Sequence, residues 1–298
     1  MGFVQRIWAN VNYTDALVDR KNRVLLEWSA KSGCSVGSMM FFRHMGLLEE
    51  AKNQSKWIHD YRINTFYPKH GLATYGDMLD PGFIKLKIVR NPFDRAVSSY
   101  IHTMLFSNAE ISSITGEQRP DMTFCEFLRF LLTLDISKCN PHYRSQFRPY
   151  EADGVVFDHI LHIERFSEDV AKVNELTGLS FDVKGLSSRH HVNSRGVSSP
   201  GAFNMKWSLL WPIPSYPSFY NSETERLVAR LYEKDFLLYG YQMNRAETGI
   251  GPPSSVAPNS QGAFARRLNL AKYQGRDILR YAAIPFRKRA DYSEEIVS

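Results

Sequence analysis

Three short apolar runs, each followed by helix signals, organise the first half of the chain and predict its central elements. Runs of this length without polar alternation are typical of strands that are buried on both faces. The runs are VLLEW (residues 24–28), FIKLKIV (residues 83–89) and VVFDHILHIE (residues 155–164). They predict three neighbouring strands of one sheet.

Helix signals follow each run. GSMMFFRHMGLLEEA (residues 37–51) comes after the first, and Asn91 with Pro92 forms a favourable N-cap and first helical residue after the second. After the third, we expect Ser167 to cap a helix that stops at Gly178. Repeated strand-then-helix order predicts an α/β fold, a single domain with a central parallel sheet flanked by helices.

The rest of the chain is predicted to be mostly helical. DMTFCEFLRFLLTL (residues 121–134) has apolar spacing that indicates core packing, and SETERLVARLYEKDFLLYGY (residues 222–241) reads as a last amphipathic helix. We therefore place the folded domain at residues 1–245. A Pro, Gly and Ser-rich linker follows at residues 246–263, and a flexible basic tail at residues 264–298.

Composition allows a large core and excludes several classes of protein. With 298 residues, 43% of them hydrophobic, most of the chain is not disordered. The chain has three cysteines, Cys34, Cys125 and Cys139, which is an odd number at wide spacing. This pattern argues against a disulfide framework or a zinc site and favours a reducing compartment. No segment is apolar enough for a signal peptide or a membrane span, so we expect a soluble, cytoplasmic protein.

Positive charge is concentrated near the end of the chain. Residues 264–289 contain eight Lys or Arg and one acid, a net charge of +7, and three acids follow them; of the total of +6, residues 1–263 therefore carry about +2. The nearly neutral remainder argues against a nucleic-acid partner. Because the tail interleaves its cations with Phe, Leu, Tyr and Ile, it would suit peripheral contact with an anionic membrane or capture of a polyanionic acceptor; the alternative is a solvated tail.

The KSGCS loop (residues 31–35) follows the first strand directly and precedes a helix. Loops of this kind collect unpaired N–H groups at the positive end of the helix dipole, which suits an anion such as phosphate. The alternative is an ordinary strand-to-helix turn with a solvated lysine. Ligands of open parallel sheets bind at the carboxyl ends of the strands, where both Lys31 and Arg90 are expected.

The RNPFDRAVS motif (residues 90–98) suggests a second anion site. Arg90 ends the second strand, and Ser98 lies eight residues on, on the helix that begins at once. A guanidinium and a hydroxyl would then converge on one phosphate. Alternatively, Asp94 and Arg95 are surface charges and Ser98 is a small packing residue.

Together these two stretches resemble the sulfotransferases that use 3'-phosphoadenosine 5'-phosphosulfate (PAPS), in particular the Golgi-type carbohydrate enzymes of the chondroitin, dermatan and heparan 2-O group. In that family a lysine followed four residues later by Ser or Thr holds the 5'-phosphosulfate, and Arg-x-Pro-x-x-Arg-x-x-Ser holds the 3'-phosphate. The resemblance continues in NPHYRSQ, ILHIERFSEDV, HHVNS and LYEKDFLLYGY, and spans about residues 24–241. It departs at Ser29 and Ala30, where relatives place a proline before the lysine. It implies a P-loop-kinase-like sulfotransferase fold.

The resemblance implies roles for residues that bind PAPS and release the product PAP. Lys31 would meet the charge that develops on the departing nucleotide during in-line transfer. The residues assigned to the donor are Lys31, Ser32, Gly33, Cys34, Ser35, Arg90 and Ser98, together with Arg195 and Ser198 from the polar stretch SSRHHVNSRGVSSPG (residues 187–201). A plain solvated loop is the alternative for that last stretch.

The acceptor hydroxyl needs a base, and the resemblance points to His142 in the NPHYRSQ segment (residues 140–146). Gln146 would orient its ring if the segment is helical, and Glu164 is the alternative base. Arg144 and Arg148 would meet an acidic sugar. No carboxylate pair accompanies the KSGCS loop, so we expect no catalytic metal.

The expected activity is therefore sulfuryl transfer from PAPS to a carbohydrate hydroxyl. The alternatives are a sulfotransferase for lipids or small molecules, a nucleotide-binding protein of kinase-like fold, or a scaffold that has lost catalysis. The lack of a Walker sequence GxxxxGK[ST] argues against a kinase, and the presence of Lys31, Arg90, Ser98 and His142 argues against a scaffold. The acceptor and the oligomeric state are not determined by the sequence.

Overall fold

The computed structural model describes residues 13–106, 111–112, 116, 121–186 and 198–245. The predicted linker (residues 246–263) and basic tail (residues 264–298) lie outside the described residues. No helix in the described ranges is both long enough and apolar enough to cross a membrane.

A four-stranded sheet in the order β2-β3-β5-β6 forms the centre of the fold. β3, β5 and β6 are parallel, and β2 pairs antiparallel with β3 at the edge. A separate two-stranded sheet joins β1 to β4. The strands are β1 Tyr13–Thr14, β2 Leu17–Asp19, β3 Val24–Trp28, β4 Ala73–Thr74, β5 Ile84–Val89 and β6 His159–His162. The predicted parallel sheet is confirmed, with one antiparallel strand added.

Helices pack on both sides of this sheet. Four of them, α1, α5, α6 and α9, are the first α-helices after a strand, as expected of an α/β fold. They are α1 Cys34–His44, α2 Leu48–Gln54, α3 Ile58–Tyr61, α4 Tyr67–His70, α5 Tyr75–Leu79, α6 Pro92–Phe106, α7 Phe124–Leu131, α8 Pro149–Ala152, α9 Phe166–Thr177, α10 Ser222–Leu231 and α11 Glu233–Tyr239. A π-helical turn, Arg62–Phe66, joins α3 to α4.

Several predicted boundaries differ from the structure, and the first is the stretch at residues 37–51, which is divided between α1 and α2. The third strand is His159–His162 alone, because Val155 and Phe157 pack into a core cluster before it. Helix α9 begins at Phe166, so Ser167 lies inside it and is not its cap, whereas Gly178 does end it in the left-handed conformation.

The predicted last helix is divided in two. Tyr232, with φ −115° and ψ 27°, separates α10 from α11. The break lets Asp235 at 0% exposure point into the core, where its carboxylate accepts hydrogen bonds from the Gln146 and Phe147 N–H groups.

The two faces of the sheet are buried differently. Leu26, Leu86 and Ile88 pack in an apolar cluster with α1 and α9. On the opposite face, Glu27 and Lys87 are register partners across β3 and β5, and their side chains form a buried ion pair of 3.2 Å. The charges of Glu27 and Lys87 thus offset each other inside the core, as burial requires.

Candidate active site

The KSGCS loop has an unusual backbone that brings α1 close to the sheet edge. Lys31 has φ +66° and Gly33, the N-cap of α1, has φ +96°. A Cβ on Gly33 would lie 2.5 Å from Ile163 Cδ1, so only glycine fits both the conformation and the space. The predicted order of strand, short loop and helix is confirmed, since β3 ends at Trp28 and α1 begins at Cys34.

The amides of this loop are not equivalent. Cys34, Ser35 and Val36 open α1, so their N–H groups have no acceptor within the helix, and the first turn contains no acid. The Ser32 N–H donates instead to Ser29 O (3.1 Å), and the Ser32 hydroxyl to Gln146 Oε1 (2.7 Å). In this structure the Ser32 amide closes the loop, and the assignment of Ser32 to the donor stays a prediction that competes with these bonds.

Lys31 lies among cations. Burial, opposed in part by Cys34, and the charges of Arg90 and Arg95 lower the pKa of its ammonium. An anionic ligand would offset these positive charges. The donor set, a cation beside open amides of a helix start, fits a phosphate or sulfate group.

His59 contacts the start of α1 from α3. Its Nε2 lies 3.0 Å from Ser35 Oγ and 3.5 Å from Cys34 Sγ. The predicted ligand residues Cys34 and Ser35 are both partly buried, and each already has this imidazole as a neighbour.

Arg90 joins the two predicted anion sites. It follows β5 directly, and its Nη1 donates to Lys31 O at 3.2 Å. Its guanidinium also lies over the Tyr216 ring at 5.6 Å. Ser98 is partly buried on α6. Asn91 caps that helix as predicted, with its Oδ1 accepting from the Phe93 N–H at 2.9 Å.

Arg95 is buried, with 1% of its surface exposed, and is not the surface charge considered as an alternative. Its Nε donates to Ala30 O (3.0 Å) and its Nη2 to Arg144 O (2.6 Å). Arg95 therefore ties α6 to the loop before Lys31 and to the NPHYRSQ segment. Burial is the main cause that lowers the pKa of its guanidinium.

His142 is held by turns of the NPHYRSQ segment and not by a helix. Its Nδ1 lies 3.0 Å from Asn140 Oδ1, its N–H donates to the same oxygen, and its carbonyl accepts from the Ser99 hydroxyl at 2.6 Å. The predicted orientation of this ring by Gln146 is wrong, because the segment is not helical and the Gln146 amide contacts Ser32 and Arg90 instead.

His102 on α6 packs against His142, with ring centroids 4.0 Å apart. Burial, then the charges of Lys31 and Arg95, lower the pKa of His142 to about 4. Burial, then His142 and Lys31, lower the pKa of His102 to about 2. Both rings are therefore neutral at pH 7, and both lie within the field of Lys31.

Glu164 lies beyond β6, and both of its carboxylate oxygens have partners. Oε1 accepts from the Asn91 N–H at 2.6 Å, and Oε2 accepts from the Tyr241 hydroxyl at 2.9 Å. This carboxylate therefore lies at the start of α6, at the edge where β5 and β6 end.

The two arginines predicted to meet an acceptor have different surroundings. Burial, then the charge of Arg148, lower the pKa of Arg144 to about 10, and its Nε is buried with no hydrogen-bond partner among the described residues. Arg148 forms an ion pair of 3.7 Å with Glu27, whose side chain is 1% exposed. Binding of an acceptor by Arg148 stays a prediction, and the acceptor would have to compete with Glu27 for this guanidinium.

Ser198 is exposed and lines a cleft with Met205, Leu209 and Trp211. Arg195, assigned to the same nucleotide contact, lies outside the described residues. Within the described ranges, no group of three or more His, Cys, Asp or Glu side chains is arranged to hold a metal ion.

Sequence reasoning missed several residues that shape this site. Asn140 carries a local signal, since an Asn two residues before His142 is typical of a side-chain-to-backbone turn. Arg95 occupies a fixed position of the RNPFDRAVS motif. For His59, His102 and Tyr216 the contacts are long-range, so no spacing in the sequence indicates them.

Comparison with known proteins identifies the family. A protein-family model described as the Sulfotransferase family matches residues 14–242. Comparisons with curated proteins and with solved structures gave no match. Since the family match covers more than half of the chain and contains the whole site described above, this protein belongs to the Sulfotransferase family and is an enzyme of sulfuryl transfer.

Proposed function

We propose that the protein transfers a sulfuryl group from PAPS to a hydroxyl of a carbohydrate acceptor. One observation carries the proposal: Arg90 donates to Lys31 O at 3.2 Å, and the charge of Lys31 acts on His142. Donor cations and a neutral imidazole therefore lie at the same end of the parallel strands, where ligands of such sheets bind.

The donor side follows from the chemistry of the loop. PAPS, the donor that the family implies, would supply the sulfuryl group. The N–H groups of Cys34, Ser35 and Val36 and the Ser35 hydroxyl suit its 5'-phosphosulfate, while Arg90 and Ser98 suit its 3'-phosphate. Lys31 would stabilise negative charge that develops on the departing nucleotide. Arg195 and Ser198 remain candidates for further phosphate contacts.

His142 is our candidate for the general base. If Nδ1 donates its proton to Asn140 Oδ1, Nε2 carries the lone pair that accepts the hydroxyl proton. Its lowered pKa keeps the ring uncharged at pH 7. An anion beside Lys31 would offset the positive charge there and so raise the pKa of His142, which would make it a stronger base. Glu164 is less suited, because both of its oxygens already accept hydrogen bonds.

The acceptor class is supported by Arg144. Its Nε has no hydrogen-bond partner among the described residues, and the charge of Arg148 acts on it, so this cationic region would attract an acidic group of a sugar. The cleft beside Ser198 favours a second candidate, an apolar lipid or phenol, because its Trp211 is 82% exposed and its Leu209 66% exposed. An exposed indole also suits stacking on a sugar ring.

Transfer of label from sulfur-labelled PAPS to a panel of acidic glycans, neutral glycans, lipids and phenols tests the proposal. We expect labelling of acidic glycans, and loss of that labelling in Arg144→Met. Labelling confined to lipids or phenols would replace the carbohydrate acceptor, and no labelling with any acceptor would contradict the proposed reaction.

A further inference from the structure

Gln146 is a fully buried amide that contacts both predicted phosphate motifs. Its Oε1 accepts from the Ser32 hydroxyl at 2.7 Å and from the Arg90 N–H at 2.8 Å. Its Nε2 donates to Arg90 O at 2.8 Å. The side chain is at 0% exposure, so these bonds are made without competition from water.

The backbone of Gln146 is anchored as firmly as its side chain. Its N–H donates to Asp235 Oδ2 at 2.9 Å, and its carbonyl accepts from Lys87 Nζ at 2.8 Å. Asp235 and Lys87 are both at 0% exposure. The side-chain amide of Gln146 therefore projects from a backbone that is fixed to the buried core.

The Gln146 contacts differ from the direct contact between the motifs. The bond from Arg90 Nη1 to Lys31 O occupies a guanidinium that a 3'-phosphate would need. Gln146 uses the backbone of Arg90 and a buried hydroxyl, so its bonds can persist when a ligand occupies both sites. A bisphosphate nucleotide has two anionic groups at a limited range of separations, and a receptor fixed at that spacing binds it without an ordering cost.

We propose that Gln146 is a positioning residue that sets the spacing between the KSGCS loop and Arg90, so that one nucleotide with two phosphates meets both motifs. This inference rests on the proposed use of PAPS. A purely structural amide would, when removed, weaken every nucleotide by the same factor. A spacing residue should matter most for ligands that span both motifs.

Calorimetry on the full chain separates these roles with three ligands: PAP, adenosine 5'-phosphate and adenosine 3'-phosphate. In Gln146→Met we expect PAP affinity to fall about tenfold or more, since buried partners lose their bonds. Each monophosphate needs only one motif, so its affinity should change by less than about threefold.

Asn174→Leu is the matched control. Asn174 pairs its amide with the N–H and carbonyl of a single residue, Phe181, at 2.9 and 2.8 Å, just as Gln146 does with Arg90. It lies on α9. This variant should be less stable, with a lower melting temperature, and should bind all three nucleotides as the natural chain does.

Gln146→Asn covers the case in which Gln146→Met does not fold. Its shorter amide stays neutral but cannot reach Ser32 and both backbone groups of Arg90 from the same backbone position, so the selective loss for PAP should persist. Equal losses for all three nucleotides, or no loss for PAP, would overturn the role of Gln146. Failure of the natural chain to bind PAP would instead overturn the proposed function beneath it.

Discussion

The starts of α1 and α6 lie at the same end of the sheet but present different groups. At α1, the N–H groups of Cys34 and Ser35 have no acceptor within the helix, and its first turn contains no acid. At α6, the Arg90 N–H donates to Gln146, the Asn91 N–H to Glu164, and the Phe93 N–H to the Asn91 side chain.

The two helix starts would therefore bind their phosphates through different groups. An anion at α1 can be held by the backbone, which substitutions of side chains only partly remove. At α6 the first amides are already used, so an anion depends on the side chains of Arg90 and Ser98. Substitutions should therefore have unequal effects at the two sites.

The largest effect on turnover should come from removal of the general base. Because both oxygens of Glu164 already accept hydrogen bonds and His142 has an Nε2 suited to accept a proton, His142→Ala should lower kcat by about 10²- to 10⁴-fold. Glu164→Gln keeps an oxygen for the Asn91 N–H and should retain turnover. Measuring kcat and PAP affinity for both variants distinguishes the two candidate bases. If Glu164→Gln is inactive with intact PAP affinity while His142→Ala stays active, the base is Glu164 and not His142.

Arg90→Ala tests the dependence of the α6 site on side chains. It removes a charge-assisted phosphate contact and should weaken PAP binding by about 1.5–3 kcal/mol. Ser35→Ala removes one hydroxyl from a site held by amides and should cost less than about 1 kcal/mol. Lys31→Ala should chiefly slow turnover, because its partner charge grows in the transition state. Calorimetry showing equal losses for Arg90→Ala and Ser35→Ala would remove the distinction between the sites.

Gly33→Ala tests the dependence of the α1 site on backbone shape. The variant is strained at φ +96° and places a Cβ against Ile163, so we expect a loss of about 1–3 kcal/mol in stability together with weaker PAP binding. Gly154→Ala is a matched control, since its φ is +104° and no atom lies within 4 Å of the added Cβ. Thermal unfolding and calorimetry compare them. Equal losses in both variants would mean that the contact with Ile163 does not matter.

The burial of His142, together with the nearby charges of Lys31 and Arg95, should also affect the pH dependence of stability. The pKa of His142 is about 4 in the folded chain against about 6.5 when unfolded, so the unfolded state binds the proton first as pH falls. Stability should decrease between about pH 6.5 and about pH 4, by about 1–3 kcal/mol from this residue. Denaturant titrations of the natural chain and His142→Gln measure it; an equally steep decrease in the variant would assign the effect elsewhere.

The sequence predicted the elements whose signals are local. VLLEW and FIKLKIV form β3 and β5 because every residue there is buried or nearly so, and Asn91 and Pro92 start α6 through short-range capping. The break at Tyr232 could not be predicted, because it serves contacts between Asp235 and a segment about ninety residues away.

For the site, residue types in motifs indicated Lys31, Arg90 and His142, but not what surrounds them. Ser32 and Arg148 have the types expected of ligand contacts, yet their groups are engaged by Ser29, Gln146 and Glu27. Such competition depends on the packed structure and leaves no pattern along the chain.

The most direct test of this site is thermal unfolding of the natural chain with PAP and, separately, with ATP at the same concentration. If the two helix starts hold a 3',5'-bisphosphate, PAP at 100 times its Kd should raise the free energy of unfolding by about 2.7 kcal/mol. ATP, without a 3'-phosphate for Arg90, should stabilise the chain much less. Greater stabilisation by ATP than by PAP would contradict the assignment and favour a kinase-like nucleotide site.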